Sequence, residues 1–462
     1  MLSAMRTHVR CGSLFTGADE AAKANQTLVV DDTGRLTYVG PTAAAAPPAA
    51  GDSVLDYGDL FVMPGLHDVH THLAYGNAKT EEDIDLYQPM EFRSLRGLFF
   101  AQKCLAAGYT SICAPGDAGQ ISLAVRNAID FGLFDGPRVT AAGRYLTTRQ
   151  GLTDWYPTWI GVPDTSIGRL VTSRDEAIEE IRVQAKNGVD CIKIALDGVQ
   201  RRPDGEFIAA FNQDETTAMV VEAHRLGRKV VVHARGREAT LYAARAGVDL
   251  IFHAYYLDRE CIDAMLENGC AIGPTLTFPR NIVDFTRPSE PAYLKGRIAD
   301  VQREYDTACA NLRKAREAGI PMMTGTDSGF AVTPYGEWHA REIEIFVNDL
   351  GFSAPAALRA ATAVTAGFMA KGASLGVLEP GRIADFIAVA GSPLKDVSVL
   401  QDKACIRHVH LGGRRMSVPE RSYDPRQVTD LAWTNWNDLY TQQRVQQLGI
   451  RPERRSAAVQ SS

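Results

Sequence analysis

Three histidines fall within six residues of GLHDVHTHLAY (65–75), and two of them, His70 and His72, are separated by one residue. In an extended chain residues i and i+2 share a face, so the two imidazoles would point the same way. Neutral imidazole is a common metal ligand, and two converging at a strand end suit a divalent ion of the zinc type. For H-x-H alone, a pair of surface histidines is the plain alternative. Four more groups sit in or at the end of short apolar runs: Lys193 in CIKIAL, His233 in KVVVHA, His253 in DLIFHA and Asp327 in PMMTGTD. Taken singly, such a histidine reads as a hydrogen-bonded core residue, and an aspartate before Ser-Gly reads as a turn residue. Six such groups at the ends of apolar runs are hard to explain that way.

Lys193 carries a chemical argument of its own. An unpaired ammonium in a buried strand is costly, and burial beside metal cations pushes a lysine toward the free amine. A neutral amine can add carbon dioxide to give a carbamate, an anion with two oxygens able to bridge two metals. With Asp327 and a hydroxide, it would offset three of the four positive charges of two divalent ions. The alternative is a Lys–Asp or Lys–Glu ion pair beside a single metal.

From Val62 onward short apolar runs alternate with longer amphipathic stretches. The runs are 109–115, 137–143, 190–196, 229–234, 249–254, 270–276 and 321–327, and the stretch at 62 completes eight. Helix-like segments lie between them, at 90–107, 174–188, 214–227, 237–246, 258–268 and 298–318, and several end in a glycine stop such as KNGVD or RAGVD. This alternation predicts a parallel α/β sheet. Eight units over roughly 300 residues fit a closed (β/α)8 TIM barrel, with an open doubly wound sheet as the alternative. Barrel active sites form at the C-terminal ends of the strands, where all six groups fall.

Residues 24–40 read as a β-hairpin, 353–372 as one or two helices, and the segments LGVLEPGRIADFIAVAGSPL and ACIRHVHLGGRRM as strands. The expected division is a small β-sandwich domain from both chain ends (1–61 and 373–420), a barrel over 62–372 and a tail over 421–462. In the tail Trp433, Trp436 and Tyr440 share one helix face, for packing on the barrel or for a subunit contact. The last residues, RPERRSAAVQSS, read as disordered. A net charge of -6 argues against a nucleic-acid partner. No run is apolar enough to span a bilayer. Eight scattered cysteines without a C-x-x-C pair, and an N-terminus without a secretory apolar stretch, point to reduced thiols in the cytoplasm.

VMPGLHDVHTHL resembles the metal-binding start of the amidohydrolase superfamily. CIKIAL, VVHARG, LIFHAYY and TGTDSG resemble its later strand ends, and LGVLEPGRIADFIAV its return to the small β-domain. The resemblance runs in order from about residue 20 to about 415. It implies one metal on His70, His72 and Asp327, a second on His233 and His253, and a bridge of carboxylated Lys193 and hydroxide. Zinc is the first expectation for both ions, with cobalt, manganese or iron as alternatives. It implies attack of the hydroxide on a carbonyl, with Asp327 as general base and then acid.

Within the superfamily the chain is similar to the imidazolonepropionase-related group, which includes Xaa-Arg/Xaa-Lys and Xaa-Pro dipeptidases and hydrolases of phenylureas and thiocarbamates. Ala234-Arg235, Phe252-His253-Ala254-Tyr255 and the aromatic eighth loop GFAVTPYGEWHARE depart from the dipeptidase pattern toward the phenylurea and molinate hydrolases. Lys193 is intact, where that branch tends to alter it.

Tyr255, Phe330, Tyr335, Trp338 and His339 follow ligand-bearing strands and could line an apolar substrate pocket, with Tyr255 or His339 donating to an oxyanion. Packing is the alternative for each. Arg235 could bind a substrate carboxylate or pair with a nearby acid. His67 reads as packing or support of the ligands, and His224 as structural. The expected protein is a binuclear metal-dependent hydrolase of an amide-type C–N bond in a small molecule, and a homo-oligomer. N-substituted ureas, carbamates or anilides come first as substrates, and dipeptides or N-acyl amino acids second. A non-catalytic metal-binding partner protein is the distant alternative, since such barrels lose ligands and this one keeps all six.

Overall fold

A computed structural model describes residues 5–286, 292–419, 421, 423 and 438–451. Both ends of the chain build one seven-stranded sheet. Its order is Arg414–Met416, Ile406–Leu411, Phe386–Val389, Ser53–Pro64, Thr7–Leu14, Lys23–Val30, Leu36–Pro41. Thr7–Leu14 runs parallel to Ser53–Pro64, and the other pairs are antiparallel. Alternating residues such as Val9, Cys11, Leu28, Val30, Phe386 and Ala388 close its apolar core. The 24–40 hairpin is present, and Asp31 Oδ1 accepts the Thr33 and Arg35 N–H groups across its turn.

The barrel strands are Leu66–Asp68, Tyr109–Ala114, Arg138–Ala141, Cys191–Ala195, Lys229–Ala234, Leu250–His253 and Ala271–Gly273. Their ladders are parallel, and an Ala142–Cys191 bridge joins the third to the fourth. The eighth segment forms only isolated bridges, Met322 to Ile272 and Ser328 to Thr71. Even so it closes the ring, because Met323 donates to the Ile272 carbonyl at 2.8 Å and Val69 to that of Thr324 at 3.0 Å. Pro321 has no N–H to give a ladder. At Gly325 a Cβ would meet the His70 Cβ at 2.9 Å, so only glycine lets the segment pass this close.

The expected helices appear as Met90–Ala106, Arg174–Lys186, Gln213–Arg225, Arg237–Ala246, Arg259–Asn268 and Ala292–Glu317. Glycines 108, 188, 227, 247, 269 and 319, which follow them, all have positive φ, the conformation of a helix stop. Several helices were not placed from sequence, among them Ile121–Asp130, Thr277–Phe285 and Arg341–Asn348, and the second of these shows why. Thr277–Phe285 follows the seventh strand, contains Pro279 and has no side-chain cap of its own. A distant group caps it instead, since buried Glu342 accepts the N–H groups of Leu276 and Thr277 at 3.0 and 2.7 Å. Residues 353–372 begin as the helix Ala354–Arg359 and continue as a π-turn over Ala360–Val364.

Among the described residues no helix is long and apolar enough to cross a membrane. All eight cysteines are unpaired. The expected helix face of Trp433 and Trp436, and all but the first residue of the final RPERRSAAVQSS, lie outside the described residues. Tyr440 is described and packs on the chain's own barrel, its ring stacked on Phe285 at 5.3 Å.

Candidate metal centre

The structure brings the six groups to one rim. Asp327 Oδ1 lies 3.4 Å from His70 Nε2 and 3.0 Å from His72 Nε2. His253 Nε2 lies 3.0 Å from His233 Nδ1. Donor atoms of His70, His253 and Asp327 fall within 4.8 Å of one another, which ties the two sides together. Two donors on one tetrahedral zinc at ~2.0–2.1 Å would be roughly 3.3 Å apart, so the donor set fits such ions in chemistry and in spacing.

Backbone conformation helps to aim these groups. His253, Ala254, Thr275 and Asp327 all have positive φ, from 53° to 75°. Left-handed conformations in non-glycine residues are strained and cluster at functional sites. Here they turn the chain at the ends of the sixth, seventh and eighth strands.

Second contacts fix the first two imidazoles. His72 Nδ1 donates to the Gly116 carbonyl at 2.8 Å. Nδ1 of His70 lies 3.1 Å from the Thr275 hydroxyl, which itself donates to the Gly273 carbonyl. Each ring therefore carries its proton on Nδ1 and offers the Nε2 lone pair. Asp68 ties the first and eighth strands, accepting from His70 N at 2.8 Å, Thr326 N at 3.2 Å and the Thr326 hydroxyl at 2.6 Å. Asp117 accepts the N–H groups of Leu73 and Ala74 and holds the turn after His72.

The other side is unlike this. Lys193 is buried, and its Nζ has no hydrogen-bond partner among the described residues. It lies 4.0 Å from the centroid of Phe252, whose face also stacks on His70 at 3.7 Å. Burial lowers the Lys193 pKa to about 7, against the opposing pull of Asp327, a shift toward the free amine. Burial, and then cationic neighbours, hold His70 and His253 well below the usual histidine range, in the neutral form that ligates metal. His253 Nδ1 also lacks a partner.

The contacts of the rim residues favour the packing alternative for several of them. The Tyr335 hydroxyl bonds the His72 carbonyl, and its ring is buried against Phe100. Trp338 Nε1 donates to the Tyr440 carbonyl at 2.6 Å, so the indole anchors the tail. His339 lies behind the first strand, with Nδ1 2.7 Å from Asp68 Oδ2 and Nε2 accepting Gly336 N–H at 3.0 Å, which leaves no nitrogen for an oxyanion. The Tyr255 hydroxyl donates to the Thr275 carbonyl at 3.0 Å and braces the left-handed turn. Phe330 is half-buried between Tyr75 and Phe278, each 5.0 Å away. The Arg235 side chain is a quarter exposed, and its guanidinium makes a 3.7 Å ion-pair contact to Glu304. His67 is buried with an unpartnered Nδ1, and His224 pairs with Asp249 on the outside.

Some groups at the site had not been singled out. The Tyr145 hydroxyl lies 3.0 Å from His72 Nε2 and 2.9 Å from that of Tyr75. Asp68 stands inside the first histidine motif, and its acidic side chain between His67 and His70 was the signal that could have found it. Asp197 and Asp117 sit after apolar runs like ordinary turn residues, Thr275 lies within the run 270–276, and no such signal marks them.

Comparison with known proteins adds to this geometry. The sequence model of the Amidohydrolase family matches residues 61–416. Ochratoxinase of Aspergillus niger is 28% identical over 434 residues, which is 89% of this chain and 87% of that protein. A solved Xaa-Pro dipeptidase with bound methionine in the active site matches with a TM-score of 0.78 at 27% identity, over 89% of this chain and 100% of that one. Molinate hydrolase shares the fold, with a TM-score of 0.74 at 20% identity over 93% of this chain and 100% of that one. With the barrel, its ligand-rich rim and this match together, the chain belongs to the amidohydrolase family, as a metal-binding hydrolase that acts on C–N bonds.

Proposed function

We propose that this enzyme is a binuclear hydrolase of an amide bond whose leaving amine carries a carboxylate, as in an N-acyl amino acid or a dipeptide. Arg235 carries the choice of substrate. Its guanidinium stands beside the centre, and its charge bears on His253. Its Nε makes no hydrogen bond among the described residues, and Glu304, held more closely by Arg201 at 2.9 Å, engages its Nη1 at 3.7 Å. A substrate carboxylate would find two N–H donors in a fork. Ureas, carbamates or anilides, the first expectation from sequence, become the second reading. It draws on the aromatic contacts of Phe330, which would also suit a neutral aryl group.

In this reading His70, His72 and Asp327 would hold one ion, and His233 and His253 the other. Lys193, once its free amine adds carbon dioxide and releases a proton, would offer carboxylate oxygens to both ions. Two divalent ions would supply hydroxide near neutral pH and polarise the carbonyl. Asp327, the most exposed of the six, takes the proton of the attacking water at its carboxylate and returns it to the leaving nitrogen. Arg235 orients the leaving amine through its carboxylate. A reducing, cytoplasmic setting belongs to the same proposal and is supported by the eight unpaired cysteines.

The test is kcat/KM on matched sets of N-acyl amino acids, their C-terminal amides and aryl ureas or carbamates. Arg235→Ala should cost the carboxylate substrates ~2–5 kcal/mol of transition-state stabilisation and leave the amides nearly unchanged. If aryl ureas or carbamates are the best substrates and Arg235→Ala is silent on them, the carboxylate reading falls.

A further inference from the structure

Asp197 is fully buried, four residues beyond Lys193, at the start of the hairpin strand Asp197–Arg201. Its Oδ2 accepts two backbone N–H groups, from Arg235 at 2.8 Å and Gly236 at 2.7 Å, where the fifth strand turns into the helix Arg237–Ala246. The turn is closely fitted, since a Cβ on Gly236 would meet the Phe207 Cβ at 2.7 Å and Asp197 Oδ2 at 3.3 Å. The second oxygen, Oδ1, lies 3.3 Å from His233 Nε2. The approach is an ion-pair contact rather than a hydrogen bond, and neither atom has a hydrogen-bond partner among the described residues. The other ring nitrogen, Nδ1, is the one 3.0 Å from His253 Nε2. His233 is thus presented in the opposite sense to His70 and His72, with Nδ1 rather than Nε2 toward the centre.

A neutral imidazole carries one proton, and a carboxylate can only accept. We propose that Asp197 is a positioning residue that holds His233 as the Nε2–H tautomer and so frees the Nδ1 lone pair for the metal. This rests on the reading of His233 as a ligand. The asymmetry of an amide makes it testable. In Asp197→Asn the single oxygen is claimed by the two backbone N–H groups. The NH2 group then faces Nε2, which must accept, and the ring proton moves to Nδ1, toward the centre. Asp197→Ala removes more contacts but imposes no tautomer.

The experiment is metal content by elemental analysis, with affinities from chelator competition, on the wild-type chain and both variants. Asp197→Asn should lose ~10–100-fold affinity for one of two ions and keep the other at the wild-type value. Its metal-stripped form should unfold at the wild-type temperature. Asp197→Ala should bind that ion better than Asp197→Asn, an order that a merely structural role reverses. Wild-type affinity for both ions in Asp197→Asn, or weaker binding in Asp197→Ala than in Asp197→Asn, would overturn the assignment and leave the binuclear reading standing. A wild-type chain without metal would remove both. If Asp197→Ala does not fold, Asp197→Asn beside the wild type still decides.

Discussion

On the side of His70, His72 and Asp327, the second nitrogen of each ring is engaged, by the Thr275 hydroxyl and the Gly116 carbonyl, and Asp68 stitches the first strand to the eighth. On the side of Lys193, His233 and His253, Lys193 Nζ, His253 Nδ1 and His233 Nε2 are buried without a hydrogen bond among the described residues, and Asp197 lies 3.3 Å from the last of them. Polar groups buried without partners are costly in a folded chain. The first side is held by protein contacts alone. The second stores an electrostatic cost that a metal and a carbamate would relieve, so on the proposed reading its ion binds against less preorganised ligands.

The largest effect expected from this contrast is at a ligand of the braced side. His72→Ala should lose both ions and lower kcat/KM by ~10³-fold or more, on the scale of lost metal and proton-transfer catalysis. Lys193→Ala should lose one ion, with partial recovery in a short-chain carboxylic acid plus bicarbonate. Lys193→Arg should not recover, because a guanidinium stays charged. Elemental analysis beside steady-state rates checks both. Equal metal loss in His72→Ala and Lys193→Ala would erase the distinction between the sides.

Stability should respond in the opposite sense on the two sides. Asp68→Asn should destabilise the metal-stripped protein by about 1–3 kcal/mol, because it unbalances a buried carboxylate with four donors. Lys193→Met should raise the melting temperature of the same metal-stripped protein, because it replaces an unpartnered amine with an apolar chain of similar length. Calorimetry on stripped samples measures both, and a destabilised Lys193→Met would show that the amine has a partner after all. The smallest effect is at Trp338→Phe. Its indole holds the Tyr440 carbonyl, so the substitution should loosen the tail and leave kcat/KM unchanged.

The sequence made the barrel and the convergence of its six rim groups legible because both follow from short-range pattern. Apolar runs ending in a ligand, and glycine stops at Gly188 or Gly247, are set within a few residues. The eighth strand was legible as a position but not as a ladder, because its closure depends on Gly325 passing the His70 Cβ. The direction of the rim residues was hidden for a related reason. Nearness in sequence to Asp327 says nothing of direction, and the loop carries Tyr335, Trp338 and His339 inward, toward His72, Tyr440 and Asp68. Asp197 and Asp117 were hidden because a carboxylate that accepts backbone N–H groups far along the chain looks like any turn residue. The helix Thr277–Phe285 was hidden because its cap, Glu342, comes from 65 residues away.

Graded removal of metal from active wild-type enzyme tests the centre most directly. Chelator is titrated in, with bound metal and the rate of amide hydrolysis followed together. The expected result is about two equivalents at the start, released at separate chelator concentrations, with the weaker one matching the ion absent from Lys193→Ala and activity falling as it leaves. Active enzyme without bound transition metal, or two equivalents released together with Lys193→Ala retaining both, would contradict a centre built from one braced and one unbraced half.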